Sequence, residues 1–432
     1  MGTSISKDGS DRKKILITSC AFMGLSHILY LKQYVKGILF MLMEILMLRF
    51  SPTLVNMVNS LIHIGRASEK NVTFRMIDGI IALVVIVFCA LAYYISVKSA
   101  LSDYWEFCLD GRAKTNKEAL QGLGGKAFPL FGLAPAFVLV MFFVVIPLAF
   151  SMLIAFTNWR GENEQTMNWI GFHNFGDMFG GNADFSSAFL DVAVWTIVWG
   201  VLATFTCYFG GMVLASFLYE AKLKITPVFR AILILPYAVP SILTVSVWSQ
   251  LLATTGIINN TLIKLGIMGN AVSWLDSPDH TALLTRIVCI LVNMWVGVPY
   301  FMLLITGQMT AISADVFEAA TIDGANKFQT FRYITLPLVL YQTIPLVIMS
   351  FTHNVNNFGA IYFLANGKPI LDHSVNSNAF GTDLMVTWLY RLSMEQNDYC
   401  RGAVLAILVF AVLAPFAIWN FRQTKSFKEG EL

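Results

Sequence analysis

Phe317-Glu-Ala-Ala-Thr-Ile-Asp-Gly-Ala325, running on to Ile334-Thr-Leu-Pro337, is a polar, helix-prone island between two long apolar runs. Those runs read as membrane spans, so the island stands in water at the membrane face. Ser313 is placed to cap a helix starting near Ala314, and Asp315 sits in the first turn, where an acid suits the helix dipole. Gly324 supplies a stop able to take positive φ. Asn326 then opens a second short helix with Gln329 three residues on, the spacing of a capping box. Small side chains at Ala319 and Ala320 let the first helix approach another surface closely, and Glu318 offers a charge for it. That is the helix-in-groove mode of docking. The alternative is a loop that only connects two spans, and the residues alone leave both open.

Working outward, the rest of the chain is hydrophobic. Apolar residues make up 56% and charged residues 13%, about half the usual charged share. Mean hydropathy is +0.66. The fold class expected is all-α: a polytopic membrane protein whose hydrophobic solvent is lipid. The net charge of +3 gives no reason to expect nucleic acid. The six cysteines have no paired spacing and the six histidines form no cluster, so neither a disulfide framework nor a metal site is expected.

Residues 1–14 are polar and basic, and 15–32 are apolar but interrupted and flanked by Lys13, Lys14, Lys32 and Lys36. Such a segment is expected to lie on the cytoplasmic face rather than cross it. Eight candidate spans follow, at about 34–50, 77–97, 129–156, 188–218, 229–252, 283–308, 333–356 and 402–420. The first carries Glu44, which is costly facing lipid and is expected to turn toward neighbouring helices or snorkel. Pro236 and Pro240 together should kink the fifth span. Basic residues concentrate in 98–127, 219–230, 309–332 and the C-terminal tail, which places both termini in the cytoplasm. The loop at 51–76, with Arg66, Lys70 and Arg75, runs against that trend.

Catalytic chemistry is missing. Gly122-Leu-Gly-Gly-Lys126 is followed by Ala127, and Leu120 stands where a phosphate-binding loop needs its first glycine, so it reads as a flexible linker. No nucleophile elbow, metal motif or carboxylate pair stands out, and intramembrane ionisable residues are few. A transport scaffold of this kind must borrow its energy.

The island resembles the EAA loop of the membrane subunits of ABC importers, through Glu318-Ala-Ala, Gly324 and Leu336-Pro337. From about residue 129 the chain is similar to the larger permease subunit of maltose/maltodextrin importers. The similarity runs through Val292-Asn-Met-Trp-Val-Gly-Val-Pro-Tyr300, Ser350-Phe-Thr-His-Asn-Val-Asn-Asn-Phe358 and Gly381-Thr-Asp-Leu-Met-Val-Thr-Trp-Leu-Tyr-Arg391. By that resemblance Glu318, Ala319, Ala320, Asp323, Gly324, Leu336 and Pro337 couple the chain to an ATPase. Sugar-contact positions fall on Asn293, Val296, Gly297 and Tyr300, and on Ser350, His353, Asn354 and Asn357. Asn and Ser both donate and accept, as sugar hydroxyls do, and Tyr300 suits their C–H faces. The alternative is that the Asn residues hold helices together. His353 stands where the family has an aromatic ring.

The resemblance implies a permease that is not itself an enzyme and binds no cofactor, with ATP and Mg on two partner ABC ATPase subunits. The other implied partners are a second permease, an extracellular sugar-binding lipoprotein, an oligosaccharide and the bilayer. Maltodextrin is the expected sugar, with galacto-oligosaccharides or other glycosides as the alternative and a secondary transporter as the rival class. The implied organisation is a tail and interfacial helix at 1–33, two spans and a cytoplasmic linker at 34–127, a six-span core at 128–421 with its coupling loop at 311–333, and a tail at 422–432. The outer loop at 157–187 is short where the best-known Gram-negative members carry a folded domain, which points to a Gram-positive cell membrane.

Overall fold

The computed structural model describes residues 9–65, 71–110, 118, 128–161, 166–220, 225–277 and 281–423. The linker at 122–126 and the basic positions Arg66, Lys70, Arg112, Lys114, Lys117, Lys222 and Lys224 lie outside them. The described residues are helical apart from connections and one isolated antiparallel bridge between Thr157 and Trp169. Among the described residues seven helices are long and apolar enough to cross a membrane, or eight if one bent pair counts as a span, in agreement with the expected eight. The chain divides into two compact units, Met1–Trp169 and Ile170–Leu432.

The first unit contains α1 (Gly9–Ala21), α2 (Leu25–Leu29), α3 (Tyr34–Ile62) and α4 (Val72–Asp110). It continues with α5 (Phe128–Val140), a π turn (Met141–Val145) and α6 (Ile146–Ile154). With 13 and 5 residues, α1 and α2 are too short to span a bilayer. α3 runs well beyond the expected 34–50, through Pro52. Proline has no N–H for the carbonyl four residues back, and here Ser51 Oγ donates to that carbonyl, Leu48 O, at 2.9 Å. The expected 51–76 loop therefore narrows to the connection between Ile62 and Val72. Arg75, which read as a loop charge, is buried and donates to the carbonyls of Ile64 (2.8 Å) and His63 (2.7 Å) at the end of α3. It is a helix cap and says nothing about which side of the membrane the turn occupies.

Glu44 accepts a hydrogen bond from the backbone N–H of Met23, in the turn between α1 and α2. Lys36 pairs with Asp103 at 2.6 Å, and Ser19 shares a hydrogen bond with Ser26 at 2.6 Å. The carboxylate in α3 thus faces protein and fastens the N-terminal helices to the α3–α4 hairpin. His27 lies in the same place, fully buried, its Nε2 3.3 Å from Ser99 Oγ. Burial first, and then the nearby Lys36, push its pKa down to about 4.

The second unit is built around α7 (Ala183–Glu220). Next come α8 (Thr226–Ala238), α9 (Ser241–Leu251), α10 (Ile257–Lys264) and α11 (Leu283–Thr310). The chain continues through α12 (Ala314–Ile322), α13 (Lys327–Thr330), a π turn (Phe331–Thr335) and α14 (Leu336–Val355). It finishes with α15 (Phe358–Ala365), α16 (Met385–Tyr390), a π turn (Arg391–Glu395) and α17 (Tyr399–Gln423). The kink expected of Pro236 and Pro240 is a full break. α8 and α9 meet at 88°. Val239, just before Pro240, is extended (φ −86, ψ 140), as a residue preceding proline prefers.

α7 packs along α11 and α14, and small residues set the spacing. A Cβ added to Gly211 would lie 2.5 Å from Phe301 Cβ, and one added to Gly297 would lie 2.7 Å from Cys207 Sγ. In lipid there is little hydrophobic gain from pairing helices, so close backbone approach and interhelical hydrogen bonds carry the association. Tyr208 shares one such bond with Thr343 at 2.7 Å. Two apolar cores follow from this packing. One lies around Trp195, Trp199 and Val292, and the other around Tyr208, Phe301, Ile305 and Val339.

Candidate functional site

At the C-terminal end of α11, α12 and α13 form as their residues dictate. Ser313 Oγ accepts from Asp315 N at 3.3 Å. Asn326 and Gln329 form both arms of the capping box, at 2.8 and 2.9 Å. Gly324 turns the chain with φ +76. Ala320 is buried, and Phe317 lies against Tyr219 at the end of α7, with ring centroids 6.3 Å apart. Glu318, Ala319, Asp323 and Gly324 are exposed. Leu336 and Pro337 open α14, with Pro in its first turn, where no N–H is needed. Large apolar side chains on this surface face outward: Ile322 is 85% exposed, Phe328 73% and Tyr333 74%.

The eight positions expected to meet a sugar separate into groups. Asn293, Val296 and Asn357 come together around a cavity of about 40 Å³, which Ser241 and Gly359 also line. A few waters fill that volume, and a sugar ring does not enter without movement. Ser350 and Asn354 form a second group. Asn354 is buried, and its Nδ2 donates to Thr204 Oγ1 at 3.0 Å and lies 3.5 Å from Ser350 Oγ. Its backbone carbonyl accepts from Trp199 Nε1 at 3.1 Å. Gly297 faces Cys207 on α7. Tyr300 packs beside Tyr237 of α8, 5.6 Å away. His353 points outward and is exposed. Asn357 also caps α15, its Oδ1 accepting from Ala360 N at 3.2 Å.

The run from Gly381 to Arg391 carries chemistry that residue patterns did not assign. Asp383 is completely buried. Its Oδ1 accepts from Thr387 Oγ1 at 2.9 Å, its Oδ2 accepts from Phe380 N at 2.8 Å, and Arg391 lies 3.4 Å away. Burial pushes its carboxyl pKa up, while Arg391 and the Phe380 N–H hold it down. Arg391, buried too, reaches Glu395 at 2.9 Å and the Asn366 carbonyl at 2.9 Å. The run is then tied to the long helices. Trp195 Nε1 donates to Thr382 O at 3.1 Å, and Thr196 Oγ1 accepts from Met385 N at 3.0 Å. Arg286 donates to Gly381 O and pairs with Asp191, each at 2.8 Å. The available signal was a set of charges in an otherwise apolar sequence, which must be partnered if buried.

Comparison with known proteins follows the same lines. Residues 207–424 match the family described as binding-protein-dependent transport system inner membrane component. The chain is 34% identical over 407 residues to the galactooligosaccharides transport system permease protein GanP of Bacillus subtilis (strain 168), covering 93% of this chain and 95% of the relative. It is 28% identical over 375 residues to the maltodextrin transport system permease protein MdxF of the same organism, covering 84% of each. The fold is that of a chain in the crystal structure of a bacterial ABC transporter involved in import of the acidic polysaccharide alginate. That likeness has a TM-score of 0.56 at 19% identity and covers 71% of this chain and 99% of the other.

Proposed function

The chain belongs to the binding-protein-dependent transport inner membrane component family, and on that premise we propose that it is the multi-pass membrane permease subunit of an ATP-driven importer of neutral oligosaccharides. The observation that carries the reading is the α12–Gly324–α13 element, capped at both helix starts and presenting Ile322, Phe328 and Tyr333 to a partner. Such an element transmits force without catalysing anything. The partners proposed are two ATPase subunits bearing ATP and Mg at this surface, a second permease, and a sugar-binding lipoprotein at the opposite face. Both termini then lie in the cytoplasm of a Gram-positive type cell. Galacto-oligosaccharide is the favoured substrate class, because 34% identity to GanP extends over nearly all of both chains, and maltodextrin is the second.

In this reading, closure of the ATPases moves α12 and the spans that follow it. The tight Asn293–Asn357 cavity widens, and Asn354 exchanges Thr204 for sugar hydroxyls. ATP acts because it binds the two arrangements with different affinity, since a ligand without that difference shifts nothing. Gly324→Pro tests the coupling, because proline cannot take φ +76. The expected outcome is a complex that inserts and hydrolyses ATP without moving sugar, and normal uptake sinks the coupling claim. Asn354→Ala should lower sugar uptake more than basal ATPase activity. Equal loss of both assigns Asn354 to helix packing alone.

A further inference from the structure

A second cavity lies at the end of α11 opposite α12, between the segments that follow α9 and α15. We propose that it is a vestibular subsite for one or two glycosyl units of the incoming chain, an inference that rests on the sugar-import reading above. Its volume is about 350 Å³, within the ~300–1,000 Å³ of small-ligand sites. One buried side chain organises its rim. Asn259 Nδ2 lies 2.9–3.2 Å from the carbonyls of Ala253, Thr254 and Val272. Its Oδ1 accepts from Val272 N and Trp274 Nε1, each at 3.1 Å. The indole edge is thereby fixed while the ring stays only partly buried and forms a wall.

The lining matches sugar chemistry. Trp274 and Phe363 offer apolar faces to C–H groups. Thr254, Ser273 and Asn366 supply groups that both donate and accept, as sugar hydroxyls require. Lys368 and Asp276 also line the cavity and pair at 2.8 Å, each nearly half exposed. Their charges cancel, so the site suits a neutral rather than an anionic sugar. Leu364 lines both this cavity and the small one containing Asn293 and Asn357. One side chain therefore stands between the vestibule and the proposed inner contacts.

The experiment uses the complete reconstituted complex with its binding protein. ATP-driven uptake of galactobiose and galactotetraose, and of maltose and maltotetraose, is compared at subsaturating sugar. Ser273→Trp fills the cavity, Trp274→Ala removes a wall, and Trp274→Phe keeps a ring. The first two should lower tetrasaccharide uptake about tenfold and disaccharide uptake far less, while Trp274→Phe, which keeps a ring without the bond to Asn259, should lose less tetrasaccharide uptake than Trp274→Ala. Binding of the sugar-loaded binding protein should be unchanged in all three. Equal losses at both chain lengths with weaker binding-protein association make the cavity a protein-docking seat and overturn the proposal. Unchanged uptake in Ser273→Trp, assembled at wild-type yield, overturns it too. A wild-type complex that moves no neutral oligosaccharide with ATP, these two series included, defeats the sugar-import reading, and the subsite with it.

Discussion

The helices at one end of α11 are held by side-chain bonds that reach two to four residues along the chain: Asp315 to Ser313, Asn326 to Gln329, Thr330 to Asn326. At the other end, Trp195 reaches Thr382 across 187 positions, and Met385 reaches Thr196 across 189. The first end shows Ile322 and Phe328 to solvent, while the second buries Asp383, Thr387, Trp388 and Arg391. The contrast follows from what each end is attached to. A short element that completes its own caps has its turns fixed locally and needs only a few contacts, such as Phe317 on Tyr219, to hold it in place. A knot of buried charges holds only while its distant partners are in place, and it then locks loop to helix. In the proposed transport cycle the capped end moves and the knotted end anchors.

The largest test of this difference is Asp383→Ala. It removes one of the two carboxylates on buried Arg391, with Glu395 remaining at 2.9 Å, and strands the Phe380 N–H, at a combined cost of about 3–5 kcal/mol. The thermal midpoint of the purified complex should fall steeply, and Asp383→Ala with Arg391→Met should recover part of the loss. An unchanged midpoint in the single variant removes the anchor from the account.

Next come two glycines with nearly the same backbone, Gly367 at φ +79 and Gly324 at φ +76. Alanine at either pays about 1–2 kcal/mol for the left-handed conformation. At Gly367 the added Cβ also meets Asp383 Oδ1 at 2.4 Å and Arg391 at 2.8 Å, whereas at Gly324 it meets nothing within 4 Å. Overpacking should therefore add about 1–3 kcal/mol at Gly367 alone. Equal midpoints for Gly367→Ala and Gly324→Ala break the comparison.

The smallest effect is expected for Asn326→Ala, which removes one arm of the capping box for about 1 kcal/mol. Amide exchange across Lys327–Thr330 should speed up while the global midpoint stays put. A fall in the global midpoint shows that the loop is tied to the core after all.

Legibility in the sequence tracks the same divide. The Ser313 cap, the Gly324 stop and the Asn326–Gln329 box were readable because each is complete within a few residues. The proline break between α8 and α9 was readable for the same reason, since Pro240 acts on the residue before it. The extension of α3 past Pro52 was not, because it needed Ser51 to be seen supplying the Leu48 carbonyl with its hydrogen bond. Arg75 looked like a topology charge until its guanidinium was found on the carbonyls ending α3. Of the expected sugar positions, the resemblance to maltose/maltodextrin permeases gave the candidates. Only packing separated Asn293 and Asn357, which share a cavity, from Gly297, which faces Cys207.

Local pattern is enough for an all-helical, membrane-spanning chain with a capped helix–turn–helix element in one polar loop. Hydrophobic run length, proline chemistry and capping residues act over a few positions, and so they are written in order along the chain. Tertiary structure alone decided that Glu44 fastens the N-terminal helices and that Asp383 and Arg391 form a buried pair. It also decided that Asn354 is held by Thr204. Each of these depends on a buried polar group finding its partner out of reach of water. That partner is chosen by how the helices cross, which no local pattern records.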